Sequence, residues 1–455
     1  MSKKLIIIGA AAAVAFAAAL PLIGNASVEK ITQERIAMLE KNGIKIERSD
    51  NGSSYMETKS HYVFTLEDAD VFEAYLTTFS KDQVPGYLSS MLDDVVMAAD
   101  VTYSNILVSS DVSLDLYPIA FREESADRMK AEDPKLYAEM IKMLEEKAFL
   151  YHMNYDVAGE KFNGYIKDID KSLELDGGKK AKIIFESATF TGTGTLVEPE
   201  SVHMQIKKAD VAFDMPDASH MILEMSDLES DNSFNAKNSF SLNYEMKKLH
   251  FNYEDVNGKI DIDSSGMKMV SSSVSKDKKL QTKLNSTMKN FKMTDLNGSL
   301  ELQNFTFIMD ADNIDEAAYE AFQSASEKSG SSSQFTMLAA AGVVAKGLNV
   351  NVEQLSVEKL QVRDSEMMDG FNHKMALKVK ADDALVQKIQ GAPMAMLQNL
   401  NIDATLRFSD KFYNYLLQKN QNLGMANAYA KKEGSKVLFD ITLKEGAVSI
   451  NGQSL

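Results

Sequence analysis

The chain has 455 residues, 44% of them hydrophobic and 25% charged, enough for a sizeable core in two or three domains or in one elongated repeat body. Its 49 basic against 66 acidic residues leave a formal charge of −17, which argues against nucleic acid as a partner and against broad contact with anionic headgroups. Cysteine is absent, so disulfides, thiolate metal sites, iron–sulfur clusters and cysteine nucleophiles are excluded.

Lys3 and Lys4 precede an uncharged stretch from Leu5 to Gly24, LIIIGAAAAVAFAAALPLIG. At about 1.5 Å per residue it just crosses a hydrocarbon core of roughly 30 Å. The basic flank predicts a cytoplasmic N-terminus and an exported body. The small residues Gly24 and Ala26 also allow cleavage before Ser27, so residues 1–26 read as a signal-anchor or a signal peptide. The length of the apolar run favours the anchor, which makes a membrane, through residues 5–24, the first expected partner.

Residues 27–150 read as a mixed helix and strand region. Val28 to Lys41 fits an amphipathic helix stopped by Asn42-Gly43. A hairpin follows, with Ile44 and Ile46 in one strand, Asp50-Asn51-Gly52 at the turn and Tyr62-Val63-Phe64 in the return strand. Glu67 to Ala99 reads as two short helices divided by Val84-Pro85-Gly86. Strands run from Val101 to Phe121, and a charged helix from Glu123 to Phe149 with a break or new start at Pro134.

Residues 151–312 carry a loose internal repeat. Alternating segments begin near Ile183, Met221, Ile260 and Ser299, spaced 38, 39 and 39 residues apart. Longer ones lie between them, at Val202 to Met215, Phe240 to Tyr253 and Leu280 to Met293. Asn257-Gly258 and Asn297-Gly298 are hairpin dipeptides. Phe240, Leu242, Tyr244 and Met246 point one way, as do Phe251 and Tyr253, and separately Ile260 and Ile262. Each strand then has one wet and one dry face, and the dry face must meet helices, another sheet or something apolar from outside. The 26 methionines fit ordinary core filling or an adaptable apolar surface.

Residues 313–455 return to mixed structure. Asp312 and Asn313 are expected to cap a helix through Glu327, Ser329 to Ser333 to be a linker, and Gln334 to Leu348 to be helical. Strands are expected at Val350 to Val362 and Met375 to Val379, and a helix at Asp382 to Leu397, interrupted by Gly391 and Pro393. Ile402 to Phe408 reads as a strand and Lys411 to Lys431 as a helix. Val437 to Leu443 and Ala447 to Ile450 form a closing hairpin turned by Lys444-Glu445-Gly446. The whole reads as an α+β fold: a long, curved, mainly antiparallel β-sheet built from repeated strand pairs, with flanking helices and one N-terminal membrane segment.

Catalytic, cofactor-binding and metal-ligating residues are not assignable from motifs. There is no G-x-S-x-G, no P-loop and no H-E-x-x-H, and His61, His152, His203, His220, His250 and His373 are scattered. Gly192-x-Gly194 reads as a turn or bulge. Asp255, Asn257, Asp261 and Asp263 gather oxygens around a turn, but the glycine and terminal Glu of a calcium loop are missing. Asp310, Asp312, Asp315 and Glu316 read as acids favouring a helix start. Paired carboxylates could serve an envelope hydrolase only if the fold brings them together.

The basic start, single apolar segment, alternating-strand body and closing segment KVLFDITLKEGAVSINGQSL (Lys436 to Leu455) resemble the YdgA/YihF-like bacterial envelope proteins, a family filed as a domain of unknown function. Gly446 and Asn451-Gly452 carry that likeness. It implies a protein anchored in a bacterial inner membrane with its body in the periplasm, or periplasmic if the N-terminal segment is cleaved, and brings no reaction, cofactor or catalytic residue. The expected function is non-enzymatic, with lipid or another apolar ligand on the sheet face. The alternative is an assembly factor that binds envelope proteins at a sheet edge.

Overall fold

The computed structural model describes residues 36–50, 52, 54–79, 94–104, 111–156, 158–195, 199–215, 219–236, 238–329, 333–363, 365–387, 397–420 and 423–455. The apolar segment at 5–24 and the start of the expected helix at 28–35 lie outside them. Among the described residues no helix is long and apolar enough to cross a membrane. The fold is mostly antiparallel β-sheet with a few helices. It divides into two compact units, one of Met1–Ser233 with Tyr253–Asn257 and one of Phe234–Asn252 with Gly258–Leu455.

The first unit contains β1 (Ile44–Asp50), β2 (Glu57–Leu66), α1 (Ala69–Phe79), β3 (Val95–Ser104), β4 (Asp111–Phe121), α2 (Glu123–Glu132) and α3 (Pro134–Glu145). It continues with β5 (Tyr151–Asp156), β6 (Lys161–Ile166), β7 (Ile169–Glu174), β8 (Lys180–Gly194), β9 (Pro199–Asp214) and most of β10 (His220–Ala236). Residues 36–41 are helical and stop at Asn42-Gly43, and β1 and β2 form the expected hairpin. The second helix expected before Ala99 is corrected at its end: Val95 to Ala99 open β3. Val95, Met97, Ala98 and Ala99 are buried between β2 and β4, and a strand buried on both faces reads as a continuous apolar run without alternation. The break at Pro134 is a new start. Asp133 Oδ1 accepts from Leu136 N at 3.0 Å, capping α3, and from Asp176 N at 3.1 Å. Pro134 occupies the first turn, where a missing N–H costs nothing.

In the first unit, β6 and β7 pair end to end along one edge of β8, and β9 along the other. One core of Tyr62, Phe64, Phe72, Met97, Leu114 and Leu116 lies under β2–β4. A second packs Met143, Leu144 and Phe149 against Ile169, Ile183 and Phe185.

The second unit holds most of β11 (Ser239–Asp255), then β12 (Gly258–Lys276), β13 (Lys279–Asp295), β14 (Gly298–Asp315), α4 (Glu316–Ser329), α5 (Gln334–Ala345), β15 (Leu348–Val362) and β16 (Met368–Val379). It closes with β17 (Leu400–Ser409), α6 (Asp410–Lys419), α7 (Leu423–Asn427), β18 (Lys431–Glu433), β19 (Lys436–Lys444), β20 (Ala447–Ile450) and β21 (Gln453–Ser454). β12 to β17 pair in chain order, and β19 follows β17.

Several expected boundaries move in this unit. The helix cap placed at Asp312 and Asn313 is corrected to Asp315, whose Oδ1 accepts from Ala318 N at 3.1 Å. Asp310 and Asp312 are strand residues, accepting from Asn351 and Asn349 of β15, so β14 continues three residues further. The helix expected through Leu348 ends at Ala345, and Gly347, at φ +79, turns the chain into β15. The helix expected at Lys411 to Lys431 ends at Lys419. Asn420 is extended, and Lys431 lies in β18, drawn onto the edge of β19. Of the helix expected at Asp382 to Leu397, residues 385–387 are helical and 388–396 lie outside the described residues. At Asn257-Gly258 and Asn297-Gly298 the glycines open the next strand and the asparagines sit at the tip. Asp255 and Asp295 each accept the backbone N–H of the asparagine two residues on, at 2.7 Å. The turn between β12 and β13 has no Asn-Gly. Asp277 (φ 54) and Lys278 (φ 60) both take the left-handed conformation that a two-residue hairpin needs.

The long strands share one device. In β8 the apolar side chains are Ala181, Ile183 and Phe185, then Ala188 and Phe190, so the alternation slips by one between them. Ser187 sits at the slip with φ 51. In β10, Met221, Leu223 and Met225 are followed by Leu228, and Asp227 has φ 49. Both kinks lie opposite Lys207 of β9, where Ile206 and Ala209 carry the same slip, so the register survives. The second unit repeats the arrangement with Gly266 (φ 61) of β12 and Asn304 (φ 51) of β14 opposite Lys289 of β13. A residue with positive φ breaks the alternation on both paired strands without an extra residue, so two successive stretches present the same face.

Candidate functional site

Cross-strand register builds the apolar face. In the first unit, Ile183, Val211 and Leu223 form one row, Phe185, Ala209 and Met225 the next, and Ala188, Ile206 and Leu228 a third beyond the kink. In the second unit, Met293, Leu300 and Val362 line up, as do Leu284, Met309, Val352 and Met375. Such rows follow from period-two alternation once antiparallel neighbours are in register.

Cover over these rows is uneven. In the first unit α3 closes the apolar side of β7 and β8. In the second, Ala345 and Leu385 close one end of the β16–β19 face, and Phe412 and Tyr413 of α6 close the other. Between residues 220 and 295, which span β10 to β13, Leu280 is the one buried hydrophobic side chain among the described residues. Phe234, Ile260 and Met269 are 38–40% exposed. The dry face foreseen from alternation is therefore present, and over these strands it is half open to solvent.

The opposite face is polar and carries four of the six histidines, each paired with an aspartate on the neighbouring strand: His61 with Asp100 at 2.6 Å, His152 with Asp115 at 2.6 Å, His203 with Asp231 at 2.6 Å and His250 with Asp263 at 2.9 Å. His61, Asp100, Asp115, His152 and Tyr165 are successive partners across β2 to β6. Tyr117 O–H donates to Asp100 Oδ2 at 2.7 Å, and Lys147 Nζ donates to the same oxygen at 3.2 Å while lying 3.7 Å above the Tyr117 ring. Burial works to raise the Asp100 pKa, but the hydrogen bonds from His61, Tyr117 and Lys147 outweigh it and hold the carboxyl below its ordinary value. Desolvation works to lower the Lys147 pKa, and its bonds to Tyr117 and Asp100 raise it instead. In the second pair Asn154 Nδ2 donates to His152 Nε2 at 3.0 Å, which leaves Nδ1 to donate to Asp115. Both nitrogens of His152 are thereby committed, an arrangement suited to fixing strands and not to proton transfer.

The remaining singled-out residues take structural places. His373 stacks on Phe371 and meets Phe408 edge-on, and burial lowers its pKa. His220 opens β10. Gly194 lies at a register shift, the bulge foreseen, and Gly192 leaves room for the Phe162 ring. Asp255 is engaged by Asn257 N and Tyr253 O–H. Asp261 accepts from Asn252, and Asp263 pairs with His250. Asp315 N-caps α4, which holds its carboxyl below the usual range, and Glu316 accepts from Asn238. The second unit also carries a trough of about 580 Å³, lined by Asn351, Glu353, Lys374, Asp403, Thr405 and Asp440, of mixed charge.

The histidine–aspartate partners lie 39, 37, 28 and 13 residues apart in the chain, so no spacing motif announces them. No protein-family model matches this chain, and neither a curated protein nor a solved structure does.

Proposed function

We propose that this chain is a non-enzymatic envelope protein, held at a bacterial inner membrane by residues 5–24, whose exported body binds or conducts lipid or another apolar ligand along the dry face of its long strands. The observation that supports this reading is the half-open apolar face of β12 and β13 in the second unit, where Leu280 is the one buried hydrophobic side chain among the described residues. Water against rows of Phe, Leu, Ile and Met costs free energy that acyl chains would relieve, at about 25 cal/mol per Å² of apolar surface covered. The paired kinks fit the same reading, because they bring Ile183 and Phe185 with Ala188 and Phe190 of β8, and Ile260 and Ile262 with Met267 and Met269 of β12, onto one face. We take the successive strand pairs as copies of one unit in a long, curved sheet. The likeness of Lys436 to Leu455 to the YdgA/YihF-like envelope proteins belongs to this proposal.

The test is native mass spectrometry and lipid extraction of the body from Ser27 onward, purified from bacterial cells, with a photo-crosslinking residue at Met269 on the dry face or at Lys268 on the polar face. Phospholipid retained at fixed stoichiometry and labelled from position 269 but not 268 is the expected result. A folded, lipid-free body, or equal labelling from both positions, would overturn the proposal and direct the search to protein partners at the sheet edges.

A further inference from the structure

We propose that Ser271, Ser273, Thr282 and Ser286 form a subsite for the ester carbonyl oxygens of a glycerophospholipid on the dry face of β12 and β13. This rests on the lipid-binding reading above and adds which lipid atoms are recognised, and where. Register fixes the four positions. Ser273 is opposite Thr282, Ser271 is opposite Leu284, and Ser286 is opposite Met269. The three rows continue onto β14 at Ala311, Met309 and Phe307, so all four hydroxyls stand on the apolar side. Lys283, with Ser272 and Asp310 beside it, belongs to a row of the other face.

The independent observation is Ser273. It is 4% exposed, yet its hydroxyl has no hydrogen-bond partner among the described residues, and neither have those of Ser271, Thr282 and Ser286. Ser264, on the same face of β12, shows the alternative. It is buried to a similar degree, and its Oγ donates to Met288 Sδ at 3.1 Å. A desolvated hydroxyl without a partner costs free energy, and four of them interrupt a face of Leu, Met and Phe. An acceptor arriving with the ligand satisfies them. The surroundings set its charge. No Lys or Arg stands in these three rows on β12 to β14, whereas a phosphate calls for charge-assisted donors. A neutral carbonyl oxygen needs no cation, and a diacyl lipid carries two of them beside its chains. The chains then run along β12 past Met269, which is 38% exposed, and the head group faces the charged Asp277-Lys278 turn.

The test is competition between a diester phosphatidylcholine and its dialkyl ether counterpart, which lacks both carbonyl oxygens, for the detergent-solubilised full chain, read by native mass spectrometry. The diester is expected to be preferred by at least about tenfold, the worth of one or two hydrogen bonds. Ser271→Ala combined with the isosteric Thr282→Val is expected to remove most of that preference while ether binding stays unchanged. Equal retention of the two lipids by the unmodified chain, or an undiminished preference in the double variant, would overturn the subsite and leave the lipid-binding reading standing. Retention of neither lipid would overturn both. A second readout needs no lipid. Ser273→Ala removes a hydroxyl without a partner, so its midpoint of urea unfolding is expected to equal or exceed that of the unmodified chain. A lower midpoint would mean that the hydroxyl is already satisfied, and would also overturn the subsite.

Discussion

Gly266 and Lys289 meet across β12 and β13 so closely that a Cβ on the glycine would lie 2.7 Å from both Cγ and Cδ of the lysine. The glycine also has φ +61, where an L side chain is strained by about 1–2 kcal/mol. Gly266→Ala is therefore expected to lower the stability of the folded chain by about 1–2 kcal/mol, and Gly266→Val by more, because a branched Cβ cannot yield. The midpoint of urea unfolding measures this. An unchanged midpoint for Gly266→Val would show that the kink carries no conformational demand.

The Asp100 cluster makes stability depend on pH at both ends. The folded-state pKa of Asp100 lies below its ordinary value of 3.8, so the unfolded chain binds the proton more readily. Its contribution is complete above that value and disappears as pH falls through the lower folded-state value. Lys147 is shifted upward from 10.5, so its contribution is complete below that value and disappears as pH rises through the higher folded-state value. Asp100→Asn should flatten both limbs of the stability profile, whereas Tyr117→Phe should leave part of the acid limb, since His61 and Lys147 still reach the carboxylate. Thermal unfolding across the pH range reads both. Identical profiles for Asp100→Asn and the unmodified chain would mean that solvent screens the cluster fully.

The uneven cover over the dry face predicts unequal costs for similar substitutions. Leu280 is 1% exposed, and Leu280→Ala should cost about 2–5 kcal/mol through lost burial and the cavity left behind. Ile260 is 39% exposed, and Ile260→Ser should cost about 1 kcal/mol or less. Chemical unfolding of the two variants decides. Equal, large losses would place a cover over Ile260.

Much of the fold is legible in the chain itself. Phe240, Leu242, Tyr244 and Met246, followed by Phe251 and Tyr253, announce a strand and already contain a slip in the alternation between Met246 and Phe251. Pro134 after Asp133 announces a helix start, because a missing N–H and an accepting carboxylate both belong there. Val95 to Ala99 were illegible as strand for the opposite reason, since burial on both faces erases the period-two signal. Asp312 misled as a cap because the same carboxylate serves a helix start or a strand neighbour, and only Asn349 opposite it decides.

What the sequence determined by itself is local. Alternation, turn dipeptides and caps depend on residues a few positions apart, and they were enough for the strand-rich class and for one dry and one wet face per strand. The tertiary structure alone decided which residues meet. His61 reached Asp100, His250 reached Asp263 and Asn252 came to lie against Asp261 only after the strands paired in register. It also decided where the dry face is covered and where it stays open, because burial depends on elements distant in the chain and not on the residues of the strand itself.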